Sequence, residues 1–273
     1  MNQPTKGQPV SQQPVVLCLS GLDPSGGAGL SADIESIAAQ GGHCAGIATA
    51  LTVQNSRGVS DFQPISRDFI ARQLAELLDD MQFSAIKTGM LADANLAKLV
   101  CNLAQDHAES PLVIDPVIKA GKRSLALPDL IDALRELIGH ATVCTPNLPE
   151  AAVLAECDED EIDLMVRWFA NTGCRYLLLT GGQCDNQRVI NRLYDLQSNP
   201  LQDPKLIQTL SWPRLTGEFH GTGCTLAATL ATRLALGESM QTASRKAQTF
   251  TWKSLQSPCT PGTGQQFPNR LGK

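Results

Sequence analysis

Residues 220–225 read His-Gly-Thr-Gly-Cys-Thr and stand directly before an apolar helical pattern, Leu226, Ala227, Ala228, Leu230, Ala231, Leu234, Ala235 and Leu236, which ends at Gly237. That placement puts Gly221, Thr222, Gly223 and Cys224 at a helix N-terminus. The first-turn amides there have no intrahelical partner and the helix dipole adds roughly half a positive charge, so the turn favours an anion such as a phosphate. Its glycines let the anion approach the backbone closely. The same field would stabilise a thiolate on Cys224. Short glycine motifs also make plain turns before core helices, with the cysteine a small buried apolar residue, and the run by itself leaves both readings open.

A second glycine cluster, Gly21-Leu22-Asp23-Pro24-Ser25-Gly26-Gly27-Ala28-Gly29, follows an apolar strand and opens a helix. Its spacing is not the GxGxxG of dinucleotide sites, and no GK[ST] follows to make a P-loop. Asp23 can hydrogen-bond a polar heterocycle while Gly26 and Gly27 admit a flat ring. Capping of the helix by Asp23 or Ser25 is the plainer reading and is compatible with binding.

The elements that must position these clusters alternate. A strand at Val15–Leu19 precedes a helix at about Ala28–Ala39 and a strand at Ala45–Leu51, which Val59–Phe62 extends. Helix 68–81 leads to strand 85–87, helix 95–106 to strand 112–115, and helix 130–138 to strand 142–144. Helices near 150–155 and 160–171 precede strand 176–180, followed by a hairpin-like stretch at 189–195 and around 206–212. This order implies an α/β domain whose mainly parallel sheet is covered on both faces, with binding groups at the C-terminal strand ends. Asp23, Gln54, Asn55, Asp115, Asn147, Gly181 and Gly182 all stand just after apolar strands.

The 273 residues suffice for one large domain, and nothing in the middle reads as a linker. A net charge of -5 without a basic block argues against a nucleic-acid partner. The nine cysteines are scattered, with no CxxC pair, so neither a disulfide framework nor a zinc site is expected, and a cytoplasmic location follows. No stretch reaches transmembrane length. Residues 1–13, rich in Gln and Pro, are expected to form a disordered tail, 14–257 a single domain, and 258–273, interrupted by Pro258, Pro261, Gly262, Gly264 and Pro268, a flexible C-terminal tail.

Six motifs in order, DPSGGAG at 23–29, ALTVQNSRGV at 50–59, KTGML at 87–91, VIDPV at 113–117, TPNLPEA at 145–151 and HGTGCT at 220–225, closely resemble the hydroxymethylpyrimidine and phosphomethylpyrimidine kinases of thiamine synthesis. The resemblance covers roughly residues 14–256. It implies the ribokinase-like three-layer αβα sandwich and transfer of the γ-phosphoryl group of ATP, with Mg²⁺, to the hydroxymethyl oxygen of 4-amino-5-hydroxymethyl-2-methylpyrimidine and then to its monophosphate. A homodimer handling only small molecules is expected.

In that picture Gly21, Asp23, Ala28, Gln54 and Met90 match the pyrimidine pocket. The ring edge offers a donor and acceptors to Asp23 and Gln54, and Met90 supplies a polarizable surface. The amides of Gly221, Thr222, Gly223 and Cys224 would hold the transferring group. Cys224 stands where related sugar kinases carry an aspartate base, and a thiol with a lowered pKa could take the hydroxyl proton. Asn147 and Glu150 match an NxxE element whose carboxylate organises Mg²⁺ through water, and Asp115 is a further candidate near the phosphates. The chain departs from the family pattern at Thr180 and, on a looser alignment, at Gln248, where basic residues are usual; Lys119, Lys122 or Arg123 is expected to restore the missing charge. Pyridoxine or pyridoxal phosphorylation is a close alternative. A catalytically weak pyrimidine-binding regulator and a Cys224-dependent hydrolase are alternatives of other classes.

Overall fold

The structure, a computed structural model, describes residues 13–120, 123–124, 128–183, 187–197 and 203–272. In chain order the elements are β1 (Val15–Leu22), α1 (Gly29–Ala39), β2 (His43–Asn55), β3 (Gly58–Pro64), α2 (Arg67–Asp80), β4 (Ala85–Thr88), α3 (Ala94–Asp106), β5 (Leu112–Ile114), β6 (Lys119–Ala120), β7 (Arg123–Ser124), α4 (Pro128–Ile138), β8 (Val143–Cys144), α5 (Leu148–Ala155), α6 (Ile162–Thr172), β9 (Tyr176–Gln183), β10 (Arg188–Asp195), β11 (Lys205–Pro213), α7 (Thr222–Ala235) and α8 (Met240–Gln256). Their order follows the alternation expected from sequence, with α8 and the small β6–β7 hairpin added.

Nine strands form one sheet in the order β11-β10-β9-β8-β5-β4-β1-β2-β3. The run from β9 to β2 is parallel, and the antiparallel pairings lie at the two edges, β10–β11 with β9 on one side and β3 on the other. The period of a strand explains the layering. In β1, Leu17 and Leu19 enter a core shared with α2 through α6, while Val16 and Cys18 enter a second core with α1, α7 and α8. The chain is thus the expected αβα sandwich. Because β1 feeds α1 on one face and β4 feeds α3 on the other, their following loops diverge and leave a crevice at the strand ends.

Two local features carry groups beyond the sheet. The first half of β2 pairs with β1, whereas Ala50–Asn55 pairs antiparallel with β3, so the hairpin stands past the strand ends with Gln54 on it. The second feature overturns an expectation. Residues 258–272 are not a flexible tail: Phe267 and Arg270 are buried, Cys259 and Phe267 exchange backbone hydrogen bonds, and Asn269 N donates to Ser254 O. Prolines and glycines there preclude regular structure, but long-range contacts supply the order that local propensity lacks. The tail expected over 1–13 lies outside the described residues apart from Gln13, whose Nε2 donates to Gly42 O.

Candidate active site

A cavity of about 600 Å³ opens over the strand ends. Gly21, Asp23, Ala28, Gln54, Met90, Asp115, Asn147, Glu150, Thr180, Gly221, Thr222 and Gly223 all line it, from the C-terminal parts of β1, β2 and β9, the segments that follow β1, β4, β5, β8 and β11, and the first turns of α5 and α7. Cys224 does not line it.

At one end, the loop after β1 is held by Asp23. Its Oδ1 accepts from Ser25 N and Ser25 Oγ at 2.8 and 2.7 Å, and its Oδ2 meets Ala28 N and His220 Nε2, each at 2.9 Å. A carboxylate offers about four lone-pair sites, and these four donors fill them. Burial pushes Asp23 up, but the His220 and Ser25 hydrogen bonds outweigh it and hold the carboxyl below its ordinary range. Asp23 lines the cavity, with both of its oxygens met from within the protein. Since Asp23 Oδ2 can only accept, His220 Nε2 carries a proton. Gln54 Nε2 lies 2.6 Å from the same His220 nitrogen, and Thr52 Oγ1 donates to Gln54 Oε1 at 3.1 Å, which fixes the amide beside the ring. Met90 packs beside Gly21, where a Cβ would come within 3.1 Å of its sulfur. Gln54, Met90 and His220 are then the side chains presented at this end. His220 opens the run at 220–225, but its partner Asp23 lies 197 residues away and no local spacing links the two.

The middle is the first turn of α7. Gly221 is its N-cap with φ +83°, and a Cβ there would lie 1.9 Å from Gly27 O, so the two glycine clusters touch backbone to backbone. Beneath lies a fully buried ion pair, Lys87 Nζ to Asp33 Oδ1 at 2.9 Å, with Ser20 Oγ donating to Asp33 Oδ2 at 2.6 Å. Burial would lower Lys87, yet Asp33, Cys224 and Asp115 hold it well above its usual value, so it stays charged. The KTGML motif thus places a cation under the site, a role that spacing alone does not reveal.

Cys224 corrects a second expectation. Burial pushes its thiol up to about 12, Asp115 and Asp33 add to the rise, and Lys87 and the Gly29 amide oppose it only in part. Desolvation and two carboxylates outweigh the helix terminus, and the group is a neutral thiol at physiological pH.

At the other end, burial raises Asp115, with Lys87 and a hydrogen bond from Cys224 pulling it back and Asp33 adding to the rise. Its Oδ2 is buried with no hydrogen-bond partner among the described residues. Asn147 and Glu150 form a reciprocal capping box on α5, Asn147 N donating to Glu150 Oε2 at 3.0 Å and Glu150 N to Asn147 Oδ1 at 2.8 Å. Burial and Asp115 push Glu150 up to about 8 despite bonds from the Asn147 and Ile118 amides. Two carboxyls disfavoured as anions on one wall, one with an orphan oxygen, form a donor set that suits a hydrated Mg²⁺. Among the described residues no group of three or more His, Cys, Asp or Glu is placed to hold a metal.

Thr180 donates from Oγ1 to Pro146 O at 3.2 Å. Beyond it Gly181 N donates to Asn191 Oδ1, Asn191 Nδ2 and Trp212 Nε1 both donate to Gln248 Oε1, and Gln248 Nε2 donates to Ser244 Oγ, at 2.9–3.1 Å. Trp212 stacks on Trp252 with ring centroids 5.6 Å apart. A neutral amide chain and two indoles line this end, and Arg214 is the one arginine or lysine lining the cavity among the described residues. The side chains of Lys119, Lys122 and Arg123 lie outside the described residues.

A family model described as phosphomethylpyrimidine kinase matches residues 23–269. The thiamine biosynthesis multifunctional protein of Corynebacterium glutamicum is 37% identical over 84% of the chain, which spans 30% of that protein's length. The hydroxymethylpyrimidine/phosphomethylpyrimidine kinase of Streptomyces coelicolor is 38% identical over 92% of the chain and 90% of its own. Among solved structures, an ADP complex of Bacillus subtilis pyridoxal kinase superposes with a TM-score of 0.82 at 28% identity, covering 95% of this chain and 99% of that one. No helix among the described residues is long and apolar enough to cross a membrane.

Proposed function

Because the chain belongs to the phosphomethylpyrimidine kinase family, we propose that it transfers the γ-phosphoryl group of ATP to the hydroxymethyl oxygen of 4-amino-5-hydroxymethyl-2-methylpyrimidine, and then a second one to the phosphate of the product. The observation that carries this reading is the single cavity in which an apolar and amide-bearing end and an acidic end meet at the amides of Gly221–Gly223.

Each part has a physical task. Gln54 and His220 read the polar ring edge, and Met90, Gly21 and Ala28 supply the flat apolar wall. The α7 amides hold the γ-phosphoryl oxygens as charge moves, with the fully buried Lys87–Asp33 ion pair behind them. Mg²⁺ would be held by Asp115 and, through water, by Glu150, and when bound it neutralises charge on the nucleotide phosphates. Cys224 contributes its amide and a neutral thiol. A loose transition state asks little of a base, so the hydroxyl proton can pass to an oxygen of the transferred phosphoryl group without an ionised thiol. Trp212, Trp252 and the Gln248 chain offer the nucleotide a stacking face and neutral partners where cations are usual.

Mass analysis of products from the pyrimidine alcohol with MgATP tests the reading: a monophosphate and then a diphosphate are expected, and unphosphorylated alcohol after prolonged incubation would end it. Likeness to the B. subtilis pyridoxal kinase supports vitamin B6 phosphorylation as a second reading. Pyridoxal run side by side, giving the higher kcat/KM, would make that reading the first.

A further inference from the structure

Residues 258–272 have no task in the mechanism above, yet they reach the alcohol end of the cavity and bond to the β2–β3 hairpin, to the loop after β1 and to the segment that leads into α7. Gly264 N donates to Ser56 Oγ at 3.1 Å and Gln265 N to Ser56 O at 2.7 Å, at the tip of the hairpin that carries Gln54. Gln266 N donates to Glu218 O and Gln266 O accepts from His220 N. Phe267 packs against the His220 ring, and a Cβ on Gly27 would come within 2.8 Å of its edge.

Arg270 completes the set. Its side chain is 1% exposed, and it donates from Nε to Thr225 Oγ1 at 2.8 Å, from Nη1 to Glu35 Oε2 at 3.0 Å and from Nη2 to Gly27 O. Thr225 Oγ1 in turn donates to Gly221 O at 2.8 Å. One guanidinium therefore ties the substrate loop to the turn that holds the phosphoryl group.

Burying a guanidinium is costly unless its donors are met, and its ionic partner Glu35 is itself 41% exposed. An apolar side chain would fill the same space without that cost. What arginine adds is a rigid planar fork that fixes two acceptors relative to each other. We propose that Arg270 is a positioning residue for phosphoryl transfer and that 258–272 is the clasp that sets the alcohol loop against the α7 turn. The proposal rests on the kinase reading; wild-type turnover tests that reading, and only the ratio of variant to wild type tests the clasp.

R270A is expected to lower kcat about 10²-fold, the cost of a misplacement near 1 Å, while ATP KM stays within about twofold. Added guanidinium ion should restore part of the loss, and R270K should recover less than the free ion does, because an ammonium cannot span both acceptors. E35Q, which alters only the outer contact, should stay within about twofold of wild type. If R270A does not fold, T225V carries the test, since it removes one acceptor at constant shape; a roughly tenfold lower kcat at unchanged ATP KM is expected. Unchanged kcat in R270A (or in T225V where R270A cannot be made), a loss shared equally by kcat and ATP affinity with no rescue, or E35Q falling as far as R270A would each overturn the proposal.

Discussion

At the alcohol end of the cavity each charge is answered inside the protein: Asp23 takes four donors, and Arg270 meets a carbonyl, a hydroxyl and a carboxylate. At the donor end Asp115 keeps an oxygen without a partner among the described residues, and Glu150 is pushed up to about 8, beside a chain of neutral amides. The contrast follows from what each ligand brings. A small neutral heterocycle must be chosen by walls that are already set, whereas a nucleotide arrives with its own charge and dication, which complete the electrostatics on binding. The first end is finished in the free protein and the second is finished by its ligand.

Breaking the set end should have the larger effect. G221A forces a side chain to 1.9 Å from Gly27 O at a positive φ, and at least about a 10²-fold loss of turnover is expected, measured by steady-state kinetics alongside circular dichroism. D115N probes the ligand-completed end: a loss of about 10²-fold in kcat, with a raised Mg²⁺ requirement, fits a metal-organising role. A loss without change in the Mg²⁺ requirement would remove it from that role.

Q248L separates scaffold from ligand at the same end. It leaves Asn191 Nδ2 and Trp212 Nε1 without their shared acceptor, costing about 1–3 kcal/mol for each group left buried, and ATP KM should rise more than alcohol KM. Thermal melts and two-substrate kinetics would show both.

Glu150 gives a pH signature. The folded, ligand-free protein keeps this proton to about pH 8, while the unfolded chain releases it near the ordinary value of 4.5. The folded state binds the extra proton between those values, so the contribution to stability is complete below about pH 4.5 and is lost as pH rises through about 8. E150Q should flatten this slope in melts from pH 5 to 9, and MgATP should flatten it in wild type. The smallest effect is expected from C224S, less than about tenfold in kcat with no ionisation appearing between pH 6 and 9. A wild-type limb there that C224S abolishes would restore the thiol as base.

Most of the architecture was legible because β5 and the first five residues of β1 read as unbroken apolar runs, while α3 and α4 repeat at helical spacing. The strand-end rule then gathered Asp23, Gln54, Asp115, Asn147 and Gly181 without knowledge of their contacts. What escaped depends on distant partners. His220 is defined by Asp23, Gln248 by Asn191 and Trp212, and the C-terminal clasp by Gly27, none of them near in sequence. Cys224 escaped for another reason: the helix-terminus field was visible in the sequence, but the burial and the two carboxylates that outweigh it were not. A usable signal did exist at the donor end, since Trp212 and Trp252 are two of the three tryptophans in a chain only 4% aromatic.

The contact of Gly27 with Gly221 and Arg270 also bears on the order of events in folding. Gly27 O and Arg270 are separated by 243 residues, so the loop this contact closes is nearly the whole chain. Closure entropy grows with loop length, and such contacts form only after local helices and neighbouring strands have shortened the effective path. Secondary structure and most of both cores can therefore mature before the two glycine clusters meet. Catalytic competence is then a late property of the nascent tertiary structure, and the appearance of activity reports the end of folding rather than its progress.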